Sequence, residues 1–149
     1  MDAIQELKAR LPDATKDIRL NLQAVLQPGG ALSTEQRWGT ALAAAYNTRD
    51  QTLAAALEAA ARSEVADAVI EDARAAAALM AMNNVYYRFR HLVGKPSYAE
   101  KPARLRMSRL ARPATNKLDF ELFALGVSAL NACGACIQAH EQAVIDGGL

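Results

Sequence analysis

The stretch ADAVIEDARAAAALMAMNNVYYRFRHL, residues 66–92, decides the fold. Alanine dominates it, and alanine enters a helix without losing side-chain entropy. No Gly or Pro interrupts it, and its β-branched residues do not alternate with polar ones as in a strand. One long helix over 66–92 is predicted, closed by Gly94-Lys95-Pro96, a glycine that ends a helix and a proline that cannot continue it.

The rest of the chain reads the same way. Upstream, residues 49–62 form a further Ala-rich helix, and Ser33-Thr34-Glu35-Gln36 is a capping box opening a helix toward Tyr46. A helix over 13–26 puts Ile18, Leu22, Val25 and Leu26 on one stripe and ends at Pro28-Gly29-Gly30; a first helix over 2–11 stops at Pro12. Downstream, 95–116 is basic and punctuated by proline, with one short helix at 103–110, and 117–146 is the last helical region. With no repeat and no linker, residues 1–149 are expected to be one all-α domain, a helical bundle. Alanine faces allow close helix packing within it and between subunits.

Composition excludes several classes. Hydrophobic residues make up 52% of the chain and charged residues 22%, which is globular composition. A net charge of +1 without a Lys/Arg run gives no footprint for nucleic acid or an anionic membrane. The acidic, polar start, Met1-Asp2-Ala3-Ile4-Gln5-Glu6, argues against a signal peptide, and Ala73–Met82 is too short to span a bilayer. The expected compartment is the cytoplasm, where paired thiols stay reduced unless they turn over.

The only two cysteines lie three residues apart, so any bridge between them is local and redox-active. On a helix Cys133, Cys136 and His140 share one face, and Cys136 and His140 are an i,i+4 pair, close enough for the imidazole to hold or take the thiol proton. Asn131 is read as the N-cap of a restarted helix, which would put both thiols near positive N–H groups. Glu121 points about 120° away from that face on an unbroken helix, and a break near Asn131 would bring it in. Zinc ligation by the two Cys with His140 and Glu121 remains a competing reading. Trp38, Met80, Met82, Tyr86, Tyr87 and Phe89 read as core or interface packing, and His91 as a surface residue.

Phe120-Glu121-Leu122 followed by Cys133-x-x-Cys136-x-x-x-His140-Glu141 resembles the alkylhydroperoxidase D (AhpD) family of lipoyl-dependent peroxidases. Lys16-Asp17-Ile18-x-Leu20-Asn21-Leu22, Trp38-Gly39-Thr40 and Met82-Asn83-Asn84-Val85-Tyr86-Tyr87-Arg88 extend the likeness over nearly the whole chain. The resemblance implies an all-α fold, a homotrimer, and a proton relay of Glu121, His140, Cys133 and Cys136. It further implies reduction of alkyl hydroperoxides, regeneration of the partner peroxiredoxin AhpC, and no tightly bound cofactor. The implied reductant is dihydrolipoamide, carried by the lipoylated acyltransferase of a 2-oxoacid dehydrogenase complex and re-reduced from NADH through dihydrolipoamide dehydrogenase.

Two departures stand out. The family's usual histidine before the second cysteine is Ala135 here, and the family continues for another helix or more where this sequence stops at Gly147-Gly148-Leu149. The shortfall is expected to leave apolar surface near the site exposed. In the expected mechanism Glu121 acts on His140 through water, His140 activates Cys136 as the attacking thiolate, and Cys133 resolves. Thioredoxin-like logic would reverse the two cysteines. A carboxymuconolactone decarboxylase-like enzyme, which shares the fold, and a non-catalytic zinc-binding module are the alternatives.

Overall fold

The fold follows from one long helix and the partners its small side chains admit. A computed structural model describes residues 3–149; the expected helix start at Asp2 lies outside the described residues. The described elements are α1 (Ala3–Ala9), a 3-10 turn (Asp13–Thr15), α2 (Lys16–Leu26), α3 (Thr34–Thr48), α4 (Gln51–Ala61) and α5 (Asp67–Val93). Two single turns follow, α6 (Pro96–Ala99) and α7 (Ser108–Ala111), then α8 (Lys117–Leu130) and α9 (Gly134–Asp146). Among the described residues there is no strand, so the fold is all-α.

The central helix, α5, ends where the sequence predicts. Gly94 adopts φ 63°, and its N–H donates to the Arg90 carbonyl at 3.3 Å. Arg90 and His91 sit in the last turn, where positive charge suits the helix dipole. The capping box of α3 is formed: Gln36 N–H donates to the Ser33 hydroxyl at 3.2 Å, and Ser33 N–H to the Gln36 side-chain oxygen at 2.9 Å.

Helices α3, α5 and α8 pack on one another, and α9 folds back against α8 and α5. The core they enclose is small residues around a few large ones: Ala43, Ala73 and Ala76 among Leu42, Ile70, Met80, Phe120, Phe123 and Val127. Gly39 makes the α3–α8 approach possible, because a Cβ there would sit 2.0 Å from the fully buried Phe123 ring. Trp38 is buried beside it, as expected of a core anchor.

One expectation is corrected and two readings are made more specific. The stripe on α2 is not core: no residue of α2 is buried, Ile18 and Val25 are exposed, and only Leu22 and Leu26 are partly covered. Periodicity reported an apolar face without saying what lies opposite. The segment 95–116 holds two one-turn helices, not one at 103–110. Of the α5 side chains read as core or interface packing, Met80 is fully buried, and Met82 and Phe89 are exposed on this chain.

A buried carboxylate holds the 95–116 segment down. Asp72, fully buried on α5, accepts from the N–H groups of Ala114 (3.0 Å) and Thr115 (2.8 Å), the Thr115 hydroxyl (2.8 Å) and Arg109 Nε (2.9 Å). Burial alone would raise its pKa, but these donors and the Arg109 charge outweigh burial and hold the carboxyl below its usual value.

Two outcomes follow for stability. Gly39→Ala should cost about 2–3 kcal/mol in urea denaturation, since the Phe123 ring cannot retreat; Gly30→Ala, whose Cβ would meet nothing, should change stability by less than about 0.5 kcal/mol. Because the folded pKa of Asp72 is depressed, its contribution is complete above the unfolded value of about 3.9 and is lost as pH falls through the folded one. Asp72→Asn should therefore lower stability by about 3 kcal/mol at pH 7 and flatten its decline below about pH 4. Denaturant midpoints measured across pH check both statements.

Candidate redox site

The site is made by a break in the last helical region. Helix α8 ends at Leu130, Asn131 is its C-cap, Ala132 turns through the left-handed region at φ 52°, and Cys133 caps α9 in an extended conformation. The restart is thus capped by Cys133 and not by Asn131 as expected, because Asn131 is spent closing the preceding helix. Cys133 N–H donates back to the Ser128 carbonyl at 3.1 Å.

Cys133 and Cys136 are joined as a disulfide, with Cα atoms 5.3 Å apart. Cys133 is the N-cap and Cys136 lies in the first turn, at the end of α9 whose N–H groups favour a thiolate once the bond is reduced. Cys133 is fully buried and Cys136 is 6% exposed.

Folding α9 back on α8 places His140 against Glu121. His140 Nδ1 lies 2.6 Å from Glu121 Oε2, and both side chains are buried. The expected water between them is replaced by direct contact. A carboxylate only accepts, so Nδ1–H is the donor to Glu121, and Nε2 is the nitrogen directed away from it. Nε2 faces the Met80 thioether sulfur at 3.2 Å. In this disulfide form, therefore, neither ring nitrogen has a cysteine sulfur as its hydrogen-bond partner; a disulfide sulfur has no proton for the ring to hold.

A cluster of side-chain amides fixes the turn that carries Cys133. Asn131 and Asn47 on α3 exchange two hydrogen bonds, 3.0 and 3.1 Å. Asn131 also donates to Asn84 Oδ1 at 3.0 Å, and Asn84 donates to the Ser128 hydroxyl at 3.0 Å. Arg88 donates to the Asn131 carbonyl. The sequence reading does not place Met80, Asn47, Asn84, Arg88 or Ser128 in the site. The Asn83-Asn84 pair inside a long Ala-rich helix was the available signal, since a buried amide requires partners. Among the described residues no group of three or more His, Cys, Asp or Glu is arranged to hold a metal ion.

Comparison with known proteins is decisive about family. No family model matches the chain. An alkyl hydroperoxide reductase AhpD from Anaeromyxobacter dehalogenans (strain 2CP-C) is 62% identical over 149 residues, covering 100% of this chain and 80% of that protein. Another, from Rhodopseudomonas palustris (strain BisB18), is 49% identical over 147 residues, 99% of this chain and 81% of that one. The chain belongs to the AhpD family. Against the AhpD pattern, Ala135 is exposed on α9, so a histidine there would stand on the solvent side of the helix, while His140 and Glu121 are buried.

Asn84→Leu should cost about 2–3 kcal/mol, because it leaves the Ser128 hydroxyl and Asn131 amide without their partner. Amide hydrogen exchange should accelerate at 131–136 more than in α3. Exchange that rises evenly across the domain would deny the amide cluster a local role.

Proposed function

We propose that the chain is a dithiol peroxidase that reduces alkyl hydroperoxides through Cys133 and Cys136. The observation carrying this reading is an arrangement in which a Cys-x-x-Cys disulfide opens a helix, one turn before a histidine bonded to a buried carboxylate. Membership of a family whose curated members are named alkyl hydroperoxide reductase supports it.

In the reduced protein Cys136 is the attacking thiolate: it is the less buried of the two sulfurs and lies one helical turn from His140. His140 takes the Cys136 proton, and Glu121 stabilises the resulting imidazolium. The thiolate attacks a peroxide oxygen. A sulfur–oxygen bond forms as the O–O bond breaks, the alcohol leaves with a proton, and Cys136 becomes a sulfenic acid. Cys133 then attacks that sulfur, the disulfide forms, and the released hydroxide leaves as water with a second proton. One hydroperoxide is reduced to alcohol and water while two thiols become one disulfide. Return to the dithiol takes two electrons and two protons, which a dihydrolipoyl group supplies as it closes to its own cyclic disulfide.

The same reading assigns the partners. AhpC is the peroxiredoxin whose disulfide the reduced pair would regenerate, and a lipoylated acyltransferase of a 2-oxoacid dehydrogenase complex is the electron donor. The working compartment is the cytoplasm; among the described residues no helix is long and apolar enough to cross a membrane. A homotrimer accounts for the exposed apolar residues Ile18, Leu20 and Val25 on α2 and Phe89 and Leu92 on α5, which are unusual on a free monomer surface.

The test is NADH consumption with cumene hydroperoxide, lipoamide and dihydrolipoamide dehydrogenase. Cys133→Ser and Cys136→Ser should each abolish turnover, and Glu121→Gln should lower kcat about 100-fold. Trapping of sulfenic acid at Cys136 in the Cys133→Ser protein assigns the attacker. Peroxide turnover that survives loss of both thiols would refute the proposal and favour a decarboxylase-like site.

A further inference from the structure

A polar cleft of about 560 Å³ opens beside the redox centre, between the C-terminal end of α3 and one stripe of α5, and is bounded by the turn that precedes Cys133. That volume is within the range of small-molecule sites. Its floor is made of small residues, Ala77, Ala78 and Ala81, with Val85 at the side. Asn84 and Asn131 close its inner wall.

Its charge is one-sided. Arg49, Arg74 and Arg88 line it, and no Asp or Glu does. Arg74 is neutralised from behind by Glu58 at 2.5 Å. Tyr46, also in the wall, stays a neutral phenol: burial, and then its hydrogen bond to Glu58, push its pKa up to about 12. Arg49 and Arg88 have no ion-pair partner among the described residues, and the one hydrogen bond of the Arg88 guanidinium is to the Asn131 carbonyl. Arg49 is held at φ 63°, a left-handed conformation uncommon for a residue with a side chain. Two uncompensated guanidiniums lining one concave site favour a carboxylate there.

The cleft is one layer of side chains from the chemistry. Asn84, in its wall, lies 3.8 Å from Met80 Sδ, and the same sulfur is 3.2 Å from His140 Nε2. Asn131 is two residues from Cys133, and Arg88 touches its carbonyl. A carboxylate seated on the arginines would therefore lie beside the turn that carries Cys133.

We propose that this cleft is a carboxylate-binding subsite, with Arg88 and Arg49 receiving the acid group and the alanine floor an apolar chain, so that the protein prefers organic hydroperoxides bearing a carboxylate over neutral ones. The substrate preference rests on the peroxidase reading above; the subsite itself does not.

The experiment compares the hydroperoxide of linoleic acid with that of its methyl ester, which differ only in the charge. Wild type should show kcat/KM about tenfold higher for the acid, through KM, with the advantage shrinking at 0.5 M salt as screening predicts. Arg88→Gln and, separately, Arg49→Asn should each bring the acid-to-ester ratio toward one. Asn tolerates the left-handed backbone at 49, so that variant keeps the fold if Arg88→Gln disturbs the Asn131 turn. An acid-to-ester ratio near one in wild type, or a ratio unchanged in both variants, overturns the substrate preference. Calorimetric binding of octanoate, with methyl octanoate as control, reads the subsite without turnover. Octanoate binding that weakens in both variants supports the site even if neither hydroperoxide is consumed, an outcome that would sink the peroxidase reading alone. No octanoate binding, or binding indifferent to both substitutions, overturns the subsite.

Discussion

The interaction on which the site depends is the hydrogen bond between His140 and Glu121, and it exists only because the chain turns at Asn131, Ala132 and Cys133. The two residues are nineteen apart in sequence, so on an unbroken helix they would be separated by about 28 Å. With the turn they are 2.6 Å apart. The same turn makes Cys133 a helix cap and puts Cys136 in the first turn of α9, so one bend in the backbone both assembles the acid–base pair and places the sulfurs at a positive helix end.

That bend has to be held, since Ala132 sits in a left-handed conformation costing on the order of 1 kcal/mol for a residue with a Cβ. Asn47, Asn84 and Arg88, from α3 and α5, supply the hydrogen bonds that hold it. The close packing that brings those helices within reach comes from the small residues, with Gly39 admitting the Phe123 ring at the α3–α8 contact. Core and chemistry are therefore linked: the alanine and glycine faces set the helix spacing, the spacing sets the amide cluster, and the cluster sets the turn. Burial of His140 and Glu121 then makes their pairing obligatory, because a lone buried charge at either position would be strongly unfavourable.

Much of this was legible in the residues. The helix over 66–92 and its stop at Gly94, the capping box at Ser33 and the shared face of Cys133, Cys136 and His140 are local properties, set by propensity, caps and the helical period. The need for a break to bring in Glu121 also followed from helical geometry, although its cap was placed two residues early, at Asn131 instead of Cys133. Met80 is not legible as a site residue, because nothing local distinguishes a thioether facing another helix from one filling a core; Asn84 is marked only by the Asn83-Asn84 pair, which does not name its partners. The α2 stripe shows the converse: Ile18 and Val25 have the pattern of a buried face, yet whatever would cover them lies outside the packing of the described residues.

The central claim is that Cys133 and Cys136 act as one two-electron centre on a hydroperoxide. A single-turnover titration tests it most directly: the reduced protein is mixed with substoichiometric cumene hydroperoxide, and alcohol, free thiols and disulfide are measured together. One alcohol should form and two thiols disappear per peroxide, with Cys133 linked to Cys136 in the same chain by peptide mass mapping. Alcohol formed without thiol loss, or thiols lost to intermolecular bridges instead, would contradict the claim.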